Sequence, residues 1–323
     1  MTKAFTLVAL AIALVLPAIL PGEFYTGIAT QVLVFGLFAT SVNILAGLGG
    51  MVSLGHAGFL GAAAYCYAIL VATYGVGSIA AAFLTLLFGA GIAALFGLVA
   101  LRTRGLSFLM ITLALGQIVW GVAFRYTSLT NGDNGINLPA EALLASTPTA
   151  RYYLCLAVLV IVLACLFVFM ASPLGVSLKG VRDQPRRMST LGYNTWAIRY
   201  VAYIISGVVA ALAGILYVQI FQFISPHAMS LTASSEGVLM VISGGIGTLF
   251  GPVLGAGIVV LLKNVASAYT DRWPTLLGLI FLFIILVMPD GLLPGLRRMV
   301  RRAITAFSSY RGRSYSNTSQ EAH

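Results

Sequence analysis

The chain has 323 residues, 60% of them hydrophobic and 8% charged, against about a quarter charged in soluble domains. Between Glu23 and Arg102 no Asp, Glu, Lys or Arg occurs; no water-exposed surface can be built from such a stretch, so a soluble fold is excluded and the bilayer is the solvent. The formal net charge of +10 does not signal nucleic acid, because its carriers sit in short segments flanking apolar runs, where they set topology.

A helix needs roughly 20 apolar residues to cross about 30 Å of hydrocarbon. On that ruler ten spans are predicted, over about 4–21, 26–46, 53–73, 78–101, 106–124, 152–171, 200–221, 230–246, 249–266 and 273–289. Lys3 ahead of the first run resembles the start of a signal peptide, but the run is long and no small-x-small cleavage site follows, so it is read as a membrane helix. With the amino terminus inside, Lys3, Arg102, Arg104, Lys179, Arg182, Arg186, Arg187, Arg199 and the six tail arginines are cytoplasmic. Only Arg125, Arg151, Lys263 and Arg272 then fall outside, so both termini are expected in the cytoplasm.

Parity tests this arrangement. If 230–266 crossed once, the arginine-rich tail would lie outside, so two membrane pieces are expected there. The run from Ser243 to Pro252, with Gly244, Gly245, Gly247 and Gly251, supplies the break, because glycine admits unusual backbone angles and proline removes a donor. A similar cluster, with Gly50, Ser53, Gly55 and His56, lies between two early spans, also on the predicted cytoplasmic side. Ser53-Leu54 followed by Leu60-Gly61-Ala62 echoes Thr248-Leu249 followed by Leu254-Gly255-Ala256. An internal duplication and chance matching of glycine-rich helices both account for the echo; interrupted segments in two halves would point to a transport pathway. The expected fold is an all-α polytopic membrane protein of about ten transmembrane helices with glycine-rich breaks. It comprises a membrane domain over 1–296, containing a cytoplasmic loop over 172–199, and a basic, disordered cytoplasmic tail over 297–323.

The chemistry expected of this chain is sparse. None of Lys3, Lys179 and Lys263 follows a glycine and precedes Ser or Thr as a phosphate-binding loop requires, so any ATP is expected on another chain. Mid-membrane carboxylates, the usual equipment of ion-driven carriers, are missing. Glu236 is the nearest candidate; it falls toward the outer end of its span and is read as lining an entrance in preference to coupling ion flow. Ser53 and His56, three apart, could be a nucleophile and its base, but beside a helix break they are read as satisfying freed backbone groups. His56 and His227 are isolated and no metal-ligand spacing occurs. Cys66, Cys155 and Cys165 lie in apolar runs, so packing is expected of them and not a disulfide framework. The loop over 172–199 serves either as a topology signal or as a short helix offered to a cytoplasmic partner.

Five blocks carry a resemblance: GLGGMVSLGHAGFLGAAAY at 47–65, RTRGLSFLMITLALGQIVWGV at 102–122 with TNGDNGI at 130–136, the run from Gly175 to Tyr217, SPHAMSLTASSEGVLMVISGGIGTLFGPVLGA at 225–256, and MPDGLLPGLRR at 288–298. Together they resemble the LivM-type permease family of branched-chain amino-acid ABC importers, from about Ala39 to Gly295. The resemblance implies a multi-pass subunit of the bacterial inner membrane that is not an enzyme and carries no cofactor. It pairs with a LivH-like second permease, two LivG/LivF-like ATPases that hold ATP and Mg, and a periplasmic solute-binding protein that delivers a small amino acid; nucleic acid is no partner. It also implies that Val181, Arg182, Asp183, Met188, Ser189, Leu191 and Gly192 form the ATPase-coupling loop. Gln184, Pro185, Arg186 and Arg187 depart from the family's more acidic and small residues, and Gln117 stands where Glu is common. A urea or short-amide permease subunit of the same superfamily shares several of these elements, and a stand-alone channel or secondary carrier would need neither ATPase nor binding protein.

Overall fold

The computed structural model describes residues 22–139, 143–145 and 147–269, with isolated positions at 11, 13–17, 275, 276, 278, 279, 282, 286 and 291. The expected spans over 4–21 and 273–289 and the tail over 297–323 fall mostly or wholly outside the described residues. Leaving aside single turns such as Thr127–Thr130, the described helices are α1 (Glu23–Asn43, continued by a wider turn over Ile44–Leu48), α2 (His56–Ala72), α3 (Ser78–Ala100), α4 (Leu106–Arg125), α5 (Pro148–Ala171), α6 (Pro173–Asp183), α7 (Pro185–Thr190), α8 (Thr195–Phe221), α9 (Leu231–Gly244) and α10 (Gly251–Tyr269). Among the described residues, six helical segments are long and apolar enough to cross a membrane: α1 with its extension, α3, α4, α5, α8 and α10. With the shorter apolar helices α2 and α9, they make this a multi-pass membrane protein.

Helix starts follow local chemistry. Pro148, Pro173 and Pro185 stand in first turns, where no amide hydrogen bond is lost. Thr147, Ser172, Asn194 and Ser230 accept hydrogen bonds from the amides of Ala150, Gly175, Ala197 and Ala233, each relieving an orphan donor. These caps explain where the boundaries depart from expectation. Asn194 starts α8 at Thr195 and not near 200, and Thr147 with Pro148 starts α5 before 152. The span expected over 53–73 is helical only from His56, and the one over 230–246 is helical only over Leu231–Gly244. At about 1.5 Å per residue α9 is roughly 21 Å long, shorter than the hydrocarbon.

The core gathers on α1 and α8. Val34, Leu37, Val42 and Ile44 of α1 pack with Leu156 and Leu159 of α5, Ala213 and Leu216 of α8, Met240 of α9 and Val259 of α10. Close approach comes through small residues: a Cβ on Gly214 would strike the Leu60 carbonyl, and one on Gly58 would lie 3.1 Å from the Gly116 Cα. α3 and α4 lie at the periphery and turn Ile79, Phe83, Leu87, Leu95, Met110, Ile118 and Val122 outward, as lipid or partner-facing helices do.

The fold is not wholly helical. Strands β1 (Ile136–Asn137) and β2 (Phe223–Ile224) pair antiparallel, Ile136 opposite Ile224, and close one end of the bundle. Leu138 N extends the pairing to Gln222 O at 2.8 Å. At this end Gln219 Nε2 donates to the Tyr67 hydroxyl at 2.6 Å while its Oε1 accepts from Leu144 N at 3.0 Å. The opposite end carries both glycine-rich breaks and α6–α7.

Candidate coupling site and transport pathway

Each break is a pair of helices joined by an irregular turn. The first joins α1 to α2 and comprises the wider turn over Ile44–Leu48 with the irregular residues 49–55; the second joins α9 to α10 across 245–250. Gly50 has φ 66°, Gly245 φ 116° and Gly247 φ 76°, backbone angles that side-chain-bearing residues rarely adopt. The second break folds back tightly. A Cβ on Gly244 would strike the Gly251 carbonyl, and one on Gly255 would strike that of Met240. Residues 231–269 therefore form a helical hairpin.

The two breaks touch. Gly47 lies so close to Gly247 that a Cβ on it would come within 2.5 Å of the Gly247 amide nitrogen. Asn43 joins them: its Oδ1 accepts from Gly247 N at 2.8 Å and its Nδ2 donates to Thr248 O at 2.9 Å. The side chain thus satisfies one donor and one acceptor that the broken helix leaves open, a requirement wherever backbone is irregular at membrane depth. Asn43 was missed in the sequence, although a carboxamide in an apolar span is the kind of signal that marks such a role.

The remaining break residues form a buried polar node. His56 has no exposed surface, and its Nε2 shares a 2.7 Å hydrogen bond with Ser206 Oγ, which donates to Ser41 O at 2.7 Å. Ala57 N donates to Ser234 Oγ at 3.2 Å, so α1, α2, α8 and α9 meet here. Ser53 Oγ accepts from Gly55 N at 3.3 Å. His56 thus bonds Ser206, and Ser53 turns to the break's own backbone; Gly55 lets α2 approach Thr112 of α4.

The loop over 172–199 holds two helices, α6 and α7, where sequence reading weighed one. Val181 is fully buried and Leu178 nearly so, anchoring α6 to the bundle. Met188 is half-buried, its sulfur close above Gly180. Arg182, Asp183, Ser189, Leu191 and Gly192 are exposed, as are Arg186 and Arg187. Arg182 Nε donates to Asp183 Oδ1 at 2.8 Å, and Arg182 Nη1 donates to Gly47 O at 2.7 Å. The anticipated coupling residues and the first break therefore share one site.

Glu236 lies apart from this site. It is 8% exposed, with its carboxylate 3.1 and 3.2 Å from Lys263 Nζ on α10. Pairing lowers the cost of two ionised groups inside an apolar hairpin. At the β1–β2 end, a cleft of about 340 Å³ opens between α4 and the turn before α9, lined by Leu113, Gln117, Trp120, Phe124, Asp133, Pro226, His227, Ser230 and Leu231. Asp133 Oδ1 lies 4.0 Å from His227 Nε2. Its walls come from three separate segments, which no local motif could have brought together.

The described residues thus form a polytopic helical bundle in which a helical elbow docks against two interlocked backbone breaks. A family model described as the branched-chain amino acid transport system permease component matches residues 24–288, so the chain belongs to that family, and it is a LivM-type permease subunit of an ABC importer. It is 28% identical over 301 residues to the high-affinity branched-chain amino acid transport system permease protein LivM of Escherichia coli K12, covering 85% of this chain and 71% of that one. To LivH of the same organism it is 26% identical over 182 residues, covering 52% and 59%. An inward-facing metal-chelate type ABC transporter overlays at a TM-score of 0.48 with 18% identity, covering 81% of this chain and 86% of that one.

Proposed function

We propose that this permease imports branched-chain or closely related small amino acids across a bacterial inner membrane, powered by ATP hydrolysis on two separate cytoplasmic ATPases. A LivH-like permease completes the membrane pore, and a periplasmic binding protein delivers the solute to the β1–β2 end. Both chain termini lie in the cytoplasm, and the chain crosses the membrane about ten times, as its apolar runs and basic residues imply. The observation that carries the reading is the elbow: α6 is anchored by Val181 while Asp183, Arg186, Arg187, Ser189 and Leu191 remain exposed around it. Such a surface of charge and apolar side chain is what a soluble ATPase cleft can grip. The amino-acid class is supported by the family's description and by the names of LivM and LivH.

The test is gentle purification of the chain from its native membrane, with mass spectrometry of what stays bound and an ATPase assay. Two ATPases and a second permease are expected, with hydrolysis stimulated by leucine-loaded binding protein. A stable assembly of this chain alone, without ATPase activity, overturns the reading in favour of a channel or carrier.

A further inference from the structure

Arg182 spans two chemistries. One edge of its guanidinium is held by Asp183 on the exposed face, and another reaches inward to the Gly47 carbonyl. Its aliphatic stem fills the space above Gly50, where a Cβ would come within 2.5 Å of the Arg182 Cγ. From Gly47 the path continues without a gap, because Gly47 abuts Gly247 and Asn43 clasps Gly247 and Thr248. Arg182 to Gly47, Gly47 to Gly247, and Asn43 to Gly247 and Thr248 are thus three consecutive links, each a hydrogen bond or a glycine-to-glycine approach that a small displacement would transmit or break.

The geometry points to Arg182 as the positioning residue that delivers movement of the α6–α7 elbow to both breaks at once, with Asn43 as the clasp that makes the two breaks shift as a single gate. This inference rests on the proposed ATP-driven import and adds the route by which it acts. Neither residue touches solute. Arg182 acts through the Gly47 carbonyl and Asn43 through the second break, so their loss affects the yield of transport per ATP and leaves hydrolysis on the partner chains running.

The test uses the complete assembly reconstituted in liposomes with its binding protein, measuring radiolabelled leucine uptake and ATP hydrolysis on the same vesicles. Arg182→Met keeps the stem over Gly50 and removes the charged donor, an interaction whose loss shifts an equilibrium by about tenfold. Uptake per ATP is expected to fall by about that factor while hydrolysis stays within roughly twofold of wild type, and Arg182→Lys, which can still donate to Gly47 O, to recover at least about half of the ratio. A purely structural role would reduce the amount of assembly and leave the ratio intact, and that result overturns the inference. Asn43→Ala is expected to lower the ratio too, and the double variant to be no worse than the worse single, since contacts in series are non-additive; additive losses overturn the clasp. Should Asn43→Ala fail to assemble, the Arg182 pair alone decides. If wild-type leucine uptake does not depend on ATP, the import reading itself fails and takes this one with it.

Discussion

Glu236 and Lys263 show how one pair of charges is tolerated inside an apolar hairpin. The Glu236 side chain is 11% exposed and the Lys263 side chain 40%, so the carboxylate depends on its partner more than the ammonium does. Lys263→Met should therefore destabilise the detergent-purified protein by about 1–3 kcal/mol, less than the full penalty for a wholly buried pair because solvent reaches the lysine. Adding Glu236→Gln should restore part of the loss; a thermal-unfolding series in which the double variant is the least stable contradicts the pairing. Gly245 illustrates a second residue-level constraint. At φ 116° a leucine costs about 1–3 kcal/mol in backbone strain, and Gly291 lies near enough that a Cβ on it would come within 2.5 Å of the Gly245 Cα. Gly245→Leu should lose its monodisperse peak in size-exclusion chromatography, and a fully active, monodisperse variant rules that constraint out.

At the scale of elements, α6 and α7 form an elbow whose inner side is set by Leu178 and Val181 and whose outer side is free to meet another protein. Asp183→Lys removes the group that holds Arg182 Nε, and Gly192→Trp imposes a bulky side chain at φ 87° where nothing stands within 4 Å. Both should insert normally, because neither position is buried, and both should abolish uptake in cells; unchanged uptake in both discards the coupling assignment. The elbow was legible in the sequence as a charged, proline-containing segment between apolar runs, and the breaks were legible as glycine clusters, the second of which charge parity also called for. That the breaks lie against each other was not legible, because the contact depends on Asn43 reaching backbone 205 residues away. His56 shows the same limit: its neighbour in sequence suggested a dyad or a backbone cap, yet its partner Ser206 lies 150 residues distant. Cap residues moved the starts of α5 and α8 by several positions, since a hydropathy window weighs burial and is blind to a single hydrogen-bonded side chain.

Across the whole molecule, the two ends differ in kind. One end has glycine turns, arginines and the elbow; the other has the β1–β2 pair and the cleft around Gln117 and His227. With Cys66, Cys155 and Cys165 replaced, a single cysteine at Leu191 should react with membrane-impermeant maleimide only in inverted vesicles and one at Phe223 only in intact spheroplasts. The reverse pattern would invert the topology drawn from basic residues. The outward faces of α3 and α4 remain apolar and need lipid or a second permease against them. The Asn43 clasp also bears on how the chain is made. Its partners emerge from the ribosome 204 and 205 residues later, which at roughly 5–20 residues per second is about 10–40 s of synthesis. During that interval the carboxamide of a half-finished protein sits in hydrocarbon with its eventual partners still untranslated, so α1 is the segment that an insertase must shelter until the last third of the polypeptide arrives.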